Sequence, residues 1–563
     1  MAVPRIPTDQ EPQTGILDFP LELLSLTFDN FRVDGDDYFP NWKELRGALK
    51  ALRLTCRRLS DAATPILFSF LIIDLNKHSV RRAEELVSRN PLIAASVRKI
   101  VISLAWYQPA MADDMALFVQ ARLDQIDEIC CDCDPDWQML RSEVETRGRP
   151  ALYESERRMP PEEIECLYNS HLIYKAWEME EYYLDHEEDS DIDSLEEHEK
   201  YEEEAELESA IRNYRELIWR AHHAYSVKHQ EQLEFVESGS FVQSIIRFLS
   251  HLRHEGLQFV ITDDVETPYH ESYHEDTWFI NDNDQLLSAM SAPHVWSDDC
   301  VIQSGEGEVS LPVVRLLSEI PVACYRAGTP ITDLTLECFP AGGQLPLLFP
   351  DAPSSSSMPE FPVELGTACQ KLEKFEFSLA SWLRDGDYRV PMSPQDRTDA
   401  NTFLKAMLSG DKLDNLYVSP YELRHSVSNT TPESRFFDLS PTLGEINWAK
   451  VRTIRLDWFE VTQDVLEGMF RQLDRGALRS LYLQCVRLRG DGGGSWADAL
   501  EVLRDRLACC EDDLFDPDII FRSLQGGGLE KETVWEPSKP DKVAKEVKAF
   551  ILGFLGENPL RCG

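Results

Sequence analysis

The stretch 66-ILFSFLIIDL-75 is dense in β-branched and aromatic residues, the composition of a strand. A helix-like run, 80-VRRAEELVSRN-90, and a second strand-like run, 97-VRKIVISL-104, follow it. The spacing of apolar residues in the second strand, apolar-x-x-apolar-x-apolar, recurs along the chain. It falls on Val97, Ile100, Ile102; Ile331, Leu334, Leu336; Leu372, Phe375, Phe377; Leu413, Leu416, Val418; Val451, Ile454, Leu456; and Leu478, Leu481, Leu483. The later copies start 41, 41, 38 and 27 residues apart, so the repeat is degenerate. An α/β protein built of irregular strand-and-helix units is the expected fold class.

At 563 residues the chain is too long for one ordinary core, which points to several domains or a repeat array. Hydrophobic residues make up 43% and aromatics 10%, the composition of a folded chain. With 100 acidic against 56 basic residues the net charge is −44, which disfavours nucleic acid and anionic lipid as partners and favours basic or neutral proteins. No run of 18 apolar residues occurs, and the polar, proline-rich residues 1–14 read as a disordered tail rather than a signal peptide. A cytosolic or nuclear location is expected. Thirteen cysteines without a framework spacing then read as reduced thiols, and the sequon at Asn429 as unused.

Near the N-terminus, a helix over 20–31 is expected, with Pro20 in its first turn. Glu22, Ser25 and Asp29 fall on one narrow stripe. Leu21, Leu23, Leu24, Leu26, Phe28 and Phe31 spread with Pro20 over roughly 220°, about twice the width that one core contact needs. The excess calls for a partner groove, since a large apolar side chain left in water forfeits roughly 1.5–3 kcal/mol. A second helix is expected from Asn41, a capping-box partner of Glu44, to about residue 63, with Pro65 as its stop. Leu45, Leu49, Leu52, Cys56, Leu59 and Ala63 share one face of it, and Lys43, Arg46, Lys50, Arg53 and Arg57 form a basic stripe beside them.

Between the first two copies of the strand pattern lies a long helical insertion, about residues 111–256. Within it, residues 178–208 hold seventeen Asp or Glu against one Lys, a segment that like-charge repulsion keeps in water. The runs 353-PSSSSMP-359 and 490-GDGGGS-495 read as loops.

One motif has a catalytic form. His270, Glu271 and His274 match H-E-x-x-H, which on a helix holds Zn²⁺ with both imidazoles and places a general base beside it. Pro268 just upstream, the lack of a helical period and the missing third ligand argue for a surface loop instead, so no metal or cofactor site is expected. Cys130, Cys131 and Cys133 lack a second ligand pair, and no glycine run matches a nucleotide-binding loop. A zinc hydrolase is kept only as an alternative.

The stretch 18-DFPLELLSLTFDNF-31 with 49-LKALRLTCRRLSDAATPILF-68 resembles an F-box. The opening motif falls on Phe19, Pro20, Leu21, Glu22, Leu23 and Leu24, and the second on Leu52, Leu54, Cys56, Arg57 and Leu59. Phe19 stands where leucine is usual, and Leu59 where tryptophan is frequent. The layout is similar to the large group of F-box proteins of filamentous fungi. That resemblance implies an all-α F-box over 15–65, first strand–helix–strand units over 66–110, the insertion over 111–256, and an irregular leucine-rich-repeat-like α/β solenoid over 257–563 that binds substrate. It further implies a non-enzymatic receptor of a Skp-cullin-F-box ubiquitin ligase. The residues of the two motifs would bind the Skp-family adaptor, and through it a cullin, while the repeats would hold a protein substrate. A scaffold that binds the adaptor without causing degradation is the remaining alternative.

Overall fold

Among the described residues nine strands form one parallel sheet, in the order in which they occur along the chain. They are β1 (Phe70–Asp74), β2 (Lys99–Ser103), β3 (Gln258–Thr262), β4 (Asp333–Leu336), β5 (Lys374–Ser378), β6 (Asn415–Ser419), β8 (Thr453–Asp457), β10 (Ser480–Gln484) and β12 (Asp518–Arg522). A second parallel sheet, ordered β13-β11-β9-β7, is made of β7 (Phe437–Asp438), β9 (Phe459–Thr462), β11 (Arg487–Arg489) and β13 (Gln525–Gly526). Among the described residues the helices include α1 (Trp42–Thr55), α2 (Arg57–Leu67), α3 (Lys77–Arg89), α4 (Pro91–Ser96), α5 (Pro109–Asp113), α6 (Glu202–Glu237), α7 (Ser240–Leu249), α8 (Asn283–Met290), α9 (Leu316–Arg326), α10 (Glu360–Cys369), α11 (Pro394–Met407), α12 (Ser440–Leu443), α13 (Gln463–Gln472), α14 (Trp496–Leu507) and α15 (Asp541–Ile551). This computed structural model describes residues 42–123, 169–170, 172–177, 202–252, 256–263, 282–294, 296, 311–340, 343–349, 360–378, 392–420, 436–489, 494–508, 517–527, 529 and 541–561.

The recurring apolar pattern becomes the sheet's inner face. Ile100, Phe259, Leu334, Phe375, Leu416, Ile454, Leu481 and Ile519 stand in one row across eight strands. Ile102, Ile261, Leu336, Phe377, Val418, Leu456, Leu483 and Phe521 make the next row. All are buried, in one core with Val322, Leu365, Leu404, Leu466 and Leu500 from the helices that follow the strands. Parallel neighbours need a crossover of this kind, and the helices it supplies cover the apolar face.

Three strand ends share a detail. After β8, β10 and β12, at equivalent register, Trp458, Cys485 and Ser523 adopt left-handed backbone, with φ of 58°, 51° and 51°. A non-glycine residue there costs roughly 1–2 kcal/mol. The corner is held because the Trp458 and Cys485 amides each donate 2.9 Å to the next strand, at Gln484 and Arg522, and because Phe459, Val486 and Leu524 turn into the core behind it. Each corner feeds one strand of the second sheet. At β13 the position filled by Val461 and Leu488 in the neighbouring copies is Gly526, where a Cβ would stand 2.3 Å from the Leu488 carbonyl oxygen and φ is +67°.

The N-terminal helices depart from expectation. The helix expected to run to about residue 63 breaks at Cys56, which is extended at φ −157°, ψ 161°. Thr55 and Cys56 are weak helix formers, and the Thr55 hydroxyl donates back to the Leu52 carbonyl at 2.7 Å, satisfying an end that continues no further. The break folds α1 against α2, so that Leu49, Leu59 and Ala63 close a small core of their own with Ala62, Ile66 and Leu67. Pro65 does not stop the helix, which reaches Leu67. In a last turn proline removes one intrahelical hydrogen bond, and the Phe68 amide still reaches the Thr64 carbonyl at 3.1 Å. The capping residue Asn41 lies outside the described residues.

The insertion has a separate core, where Met111, Phe118 and Val119 meet Ile173, Trp177, Leu217, Ile218 and Tyr225. It also takes Leu286 and Met290 from α8, a helix that follows β3 in the chain. The 36-residue α6 joins the two cores, with Leu217 to Tyr225 in one and Phe235 and Val236 in the other. Residues 178–201 of the acidic segment lie outside the described residues, and 202–208 are the start of α6. No helix among the described residues is long and apolar enough to cross a membrane.

Candidate functional site

On the face of the large sheet opposite the core, the residues between the buried rows form a cross-strand series: Thr335, Glu376, Tyr417, Arg455, Tyr482 and Ile520. From β6 to β12 this series becomes a ladder of rings and guanidinium groups. The Arg455 guanidinium carbon lies 4.4 Å from the Tyr417 ring centroid and 5.1 Å from that of Tyr482. Arg522, diagonal to Tyr482, lies 5.8 Å from the same ring. Strand geometry produces this arrangement: side chains directly opposite in register stand about 5 Å apart, close enough for a planar cation to stack between two rings.

Asp457 anchors the centre. Its Oδ2 accepts from Arg455 Nε at 3.2 Å, and the residue is only 3% exposed. Among the described residues its Oδ1 has no hydrogen-bond partner. Burial pushes the carboxyl up to about 6, against the opposing pull of Arg455 and of a hydrogen bond from Tyr417. Burial, with the Asp457 charge next, also raises the Tyr417 hydroxyl, while Ser378 and Ser419 hydrogen-bond to it. The Tyr482 hydroxyl donates to Gln484 on its own strand. Arg455 keeps half of its side chain in solvent, and Arg522 is exposed. The ladder therefore presents donor edges of two arginines outward, with the guanidinium of Arg455 fixed by stacking and by one ion pair. Such a surface can bind.

The residues of the F-box-like motifs are distributed differently. Phe19, Pro20, Leu21, Glu22, Leu23 and Leu24 lie outside the described residues. Leu52 and Cys56 are half-buried against the α1/α2 core, Leu59 is buried within it, and Arg57 is exposed. Leu54 is 86% exposed, the most exposed large apolar side chain among the described residues. Of the basic stripe, Arg53 lies 5.2 Å over the Phe68 ring, while Lys50 and Arg57 face solvent. His270, Glu271, His274, Cys130, Cys131, Cys133 and Asn429 lie outside the described residues. Among the described residues no group of three or more His, Cys, Asp or Glu could hold a metal ion. Cys324, Cys338 and Cys369 are buried free thiols, and burial raises each, the first and last to about 12.

The ladder was not among the residues the motifs single out. A signal for it exists: Tyr417, Arg455 and Tyr482 each occupy the place between the last two apolar residues of the recurring pattern, where side chains point away from the core. Compared with models of protein families, with curated proteins and with solved structures, the chain finds no match.

Proposed function

We propose that the chain is the substrate receptor of a Skp-cullin-F-box ubiquitin ligase. In this reading the segment 15–65 is an F-box that docks on a Skp-family adaptor and through it on a cullin, and the chain-ordered sheet with its helices is an irregular leucine-rich-repeat-like solenoid that holds a protein substrate. The chemistry of ubiquitin transfer belongs to other subunits. The observation that carries the reading is Leu54: a leucine of the second F-box-like motif left in water beside a helix pair that already has its own core. Helices that bury one face internally and expose a leucine on another suit a partner groove. The strand order supports the second half, since parallel strands added one after another in chain order are how repeat proteins extend a binding face.

The test is co-purification with a Skp-family adaptor expressed in the same cells. The adaptor is expected with the wild-type chain and lost with the Pro20→Ala, Leu23→Asp double variant. Retention by the double variant removes the F-box from the account. If the adaptor binds but no protein accumulates in cells that lack the chain, the scaffold reading replaces the receptor one.

A further inference from the structure

The Arg455 guanidinium is held in a way that a purely structural ion pair does not need. Its guanidinium carbon lies 4.4 and 5.1 Å from ring centroids on the two neighbouring strands, and among the described residues its hydrogen bond runs from Nε, which leaves the two Nη groups for a partner. Stacking removes water from the planes and leaves hydrogen bonding directed along their edge, the geometry that matches a planar carboxylate with two parallel bonds. The counter-ion sits to one side: Asp457 is buried and meets Arg455 at Nε, not at the outer end of the guanidinium. Arg522 adds a second cation beside the same Tyr482 ring. Tyrosine and arginine are also enriched among the residues that dominate binding energy at protein interfaces.

The net charge of −44 opposes an acidic partner at a distance but not at contact. At physiological salt, charges are screened beyond about 8 Å, whereas a guanidinium stacked at the binding point acts within one hydrogen bond. A lysine-bearing partner would meet the donor-only edges of Arg455 and Arg522 and be rejected there.

We propose that the Tyr417–Arg455–Tyr482–Arg522 ladder is the docking site for a polypeptide segment carrying an aspartate or glutamate side chain, whose carboxylate pairs with the outer edge of Arg455. This deepens the receptor reading by naming the chemical class of the substrate segment. The site itself does not require the ligase.

The experiment pans the full-length chain against a random dodecapeptide library, and then measures selected peptides synthesised with Glu, Gln, phosphoserine or Lys at the selected acidic position. Asp or Glu should be enriched at one position. Replacing it with Gln should weaken binding at least tenfold, and Arg455→Met should weaken the Glu peptide equally while leaving the Gln peptide unchanged. Arg455→Lys, which keeps the charge but not the fork, should lose at least threefold, and Arg522→Met, on the outermost strand of the sheet, at least threefold. Binders without acidic enrichment, binders indifferent to Arg455→Met in a variant that melts like wild type, an absence of binders, or preference for phosphoserine over Glu would each overturn the proposal. Adaptor co-purification should be unchanged by Arg455→Met; loss of the adaptor from the wild type would sink the receptor reading and leave the peptide result standing.

Discussion

Gln232, in the last turns of α6, accepts the Tyr107 amide through Oε1 at 3.0 Å. With its Nε2 it donates to the carbonyls of Ala105 at 2.9 Å and Leu75 at 3.1 Å. One buried side chain thus ties the insertion's long helix to the loops that leave β1 and β2. Beside it the His229 Nδ1 lies 2.7 Å from the Tyr107 carbonyl oxygen, and the Tyr225 hydroxyl accepts from the Gln108 amide at 2.6 Å.

Gln232→Leu keeps the bulk but strands one amide and two carbonyls in the interior. Each unsatisfied group costs about 1–3 kcal/mol, so a loss of at least about 3 kcal/mol is expected. Hydrogen exchange should quicken first at the Tyr107 amide and along the C-terminal half of α6, before β5 and β6. Exchange that rises uniformly over the sheet would contradict a local tie.

Asp457 makes stability depend on pH. Its carboxyl, ordinarily 3.8, titrates at about 6 in the folded state, so the folded protein holds this proton more tightly than the unfolded chain does. The favourable contribution is complete below about 4 and is lost as pH rises through 6. A shift of this size corresponds to about 3 kcal/mol. Asp457→Asn cannot titrate, and its stability relative to wild type should therefore climb between pH 4 and pH 7 by up to that amount. Urea titrations at several pH values measure it; a constant difference refutes the assignment.

Gly526 has both a left-handed backbone and a carbonyl where a side chain would begin. Gly526→Val, although it installs the residue found at the equivalent place in β9, should cost at least about 2 kcal/mol through strain and displacement of Leu488. Gly468, half-buried in α13 with open space where a Cβ would stand, is the control: Gly468→Ala should stabilise by roughly 0.5–1 kcal/mol. Thermal unfolding of the two variants should move in opposite directions.

Leu54→Ser separates stability from binding. A side chain already 86% exposed contributes little to the fold, so the change should fall within about 0.5 kcal/mol of zero. Under the proposed function it should still weaken adaptor binding, whereas unaltered adaptor affinity removes Leu54 from the interface.

Cys324, Cys338 and Cys369 should resist alkylation in the native state, because burial raises each thiol far above the thiolate-forming range. Mass mapping after iodoacetamide treatment should find them modified only when the chain is unfolded first.

Much of the fold was legible from residue spacing alone. Copies of the strand pattern at Val97, Ile331, Leu372, Leu413, Val451 and Leu478 all lead into strands of one sheet, because a strand buried on one face must repeat apolar residues at a spacing of two. β3 and β12 escaped the pattern since Gly256 and Asp516 stand where its first apolar residue would be. Strand existence is thus a local property. Which strands lie side by side is not: Tyr417, Arg455 and Tyr482 are 38 and 27 residues apart, and no composition or period says that their side chains stack. That adjacency, like the burial that lifts Asp457 and the recruitment of α8 into the insertion's core, arises only when distant segments share a register and exclude water together. The break at Cys56 draws on both: Thr55 and Cys56 are weak helix formers, but a continuous helix satisfies the local apolar period equally well, and the packing of α1 on α2 favours the break.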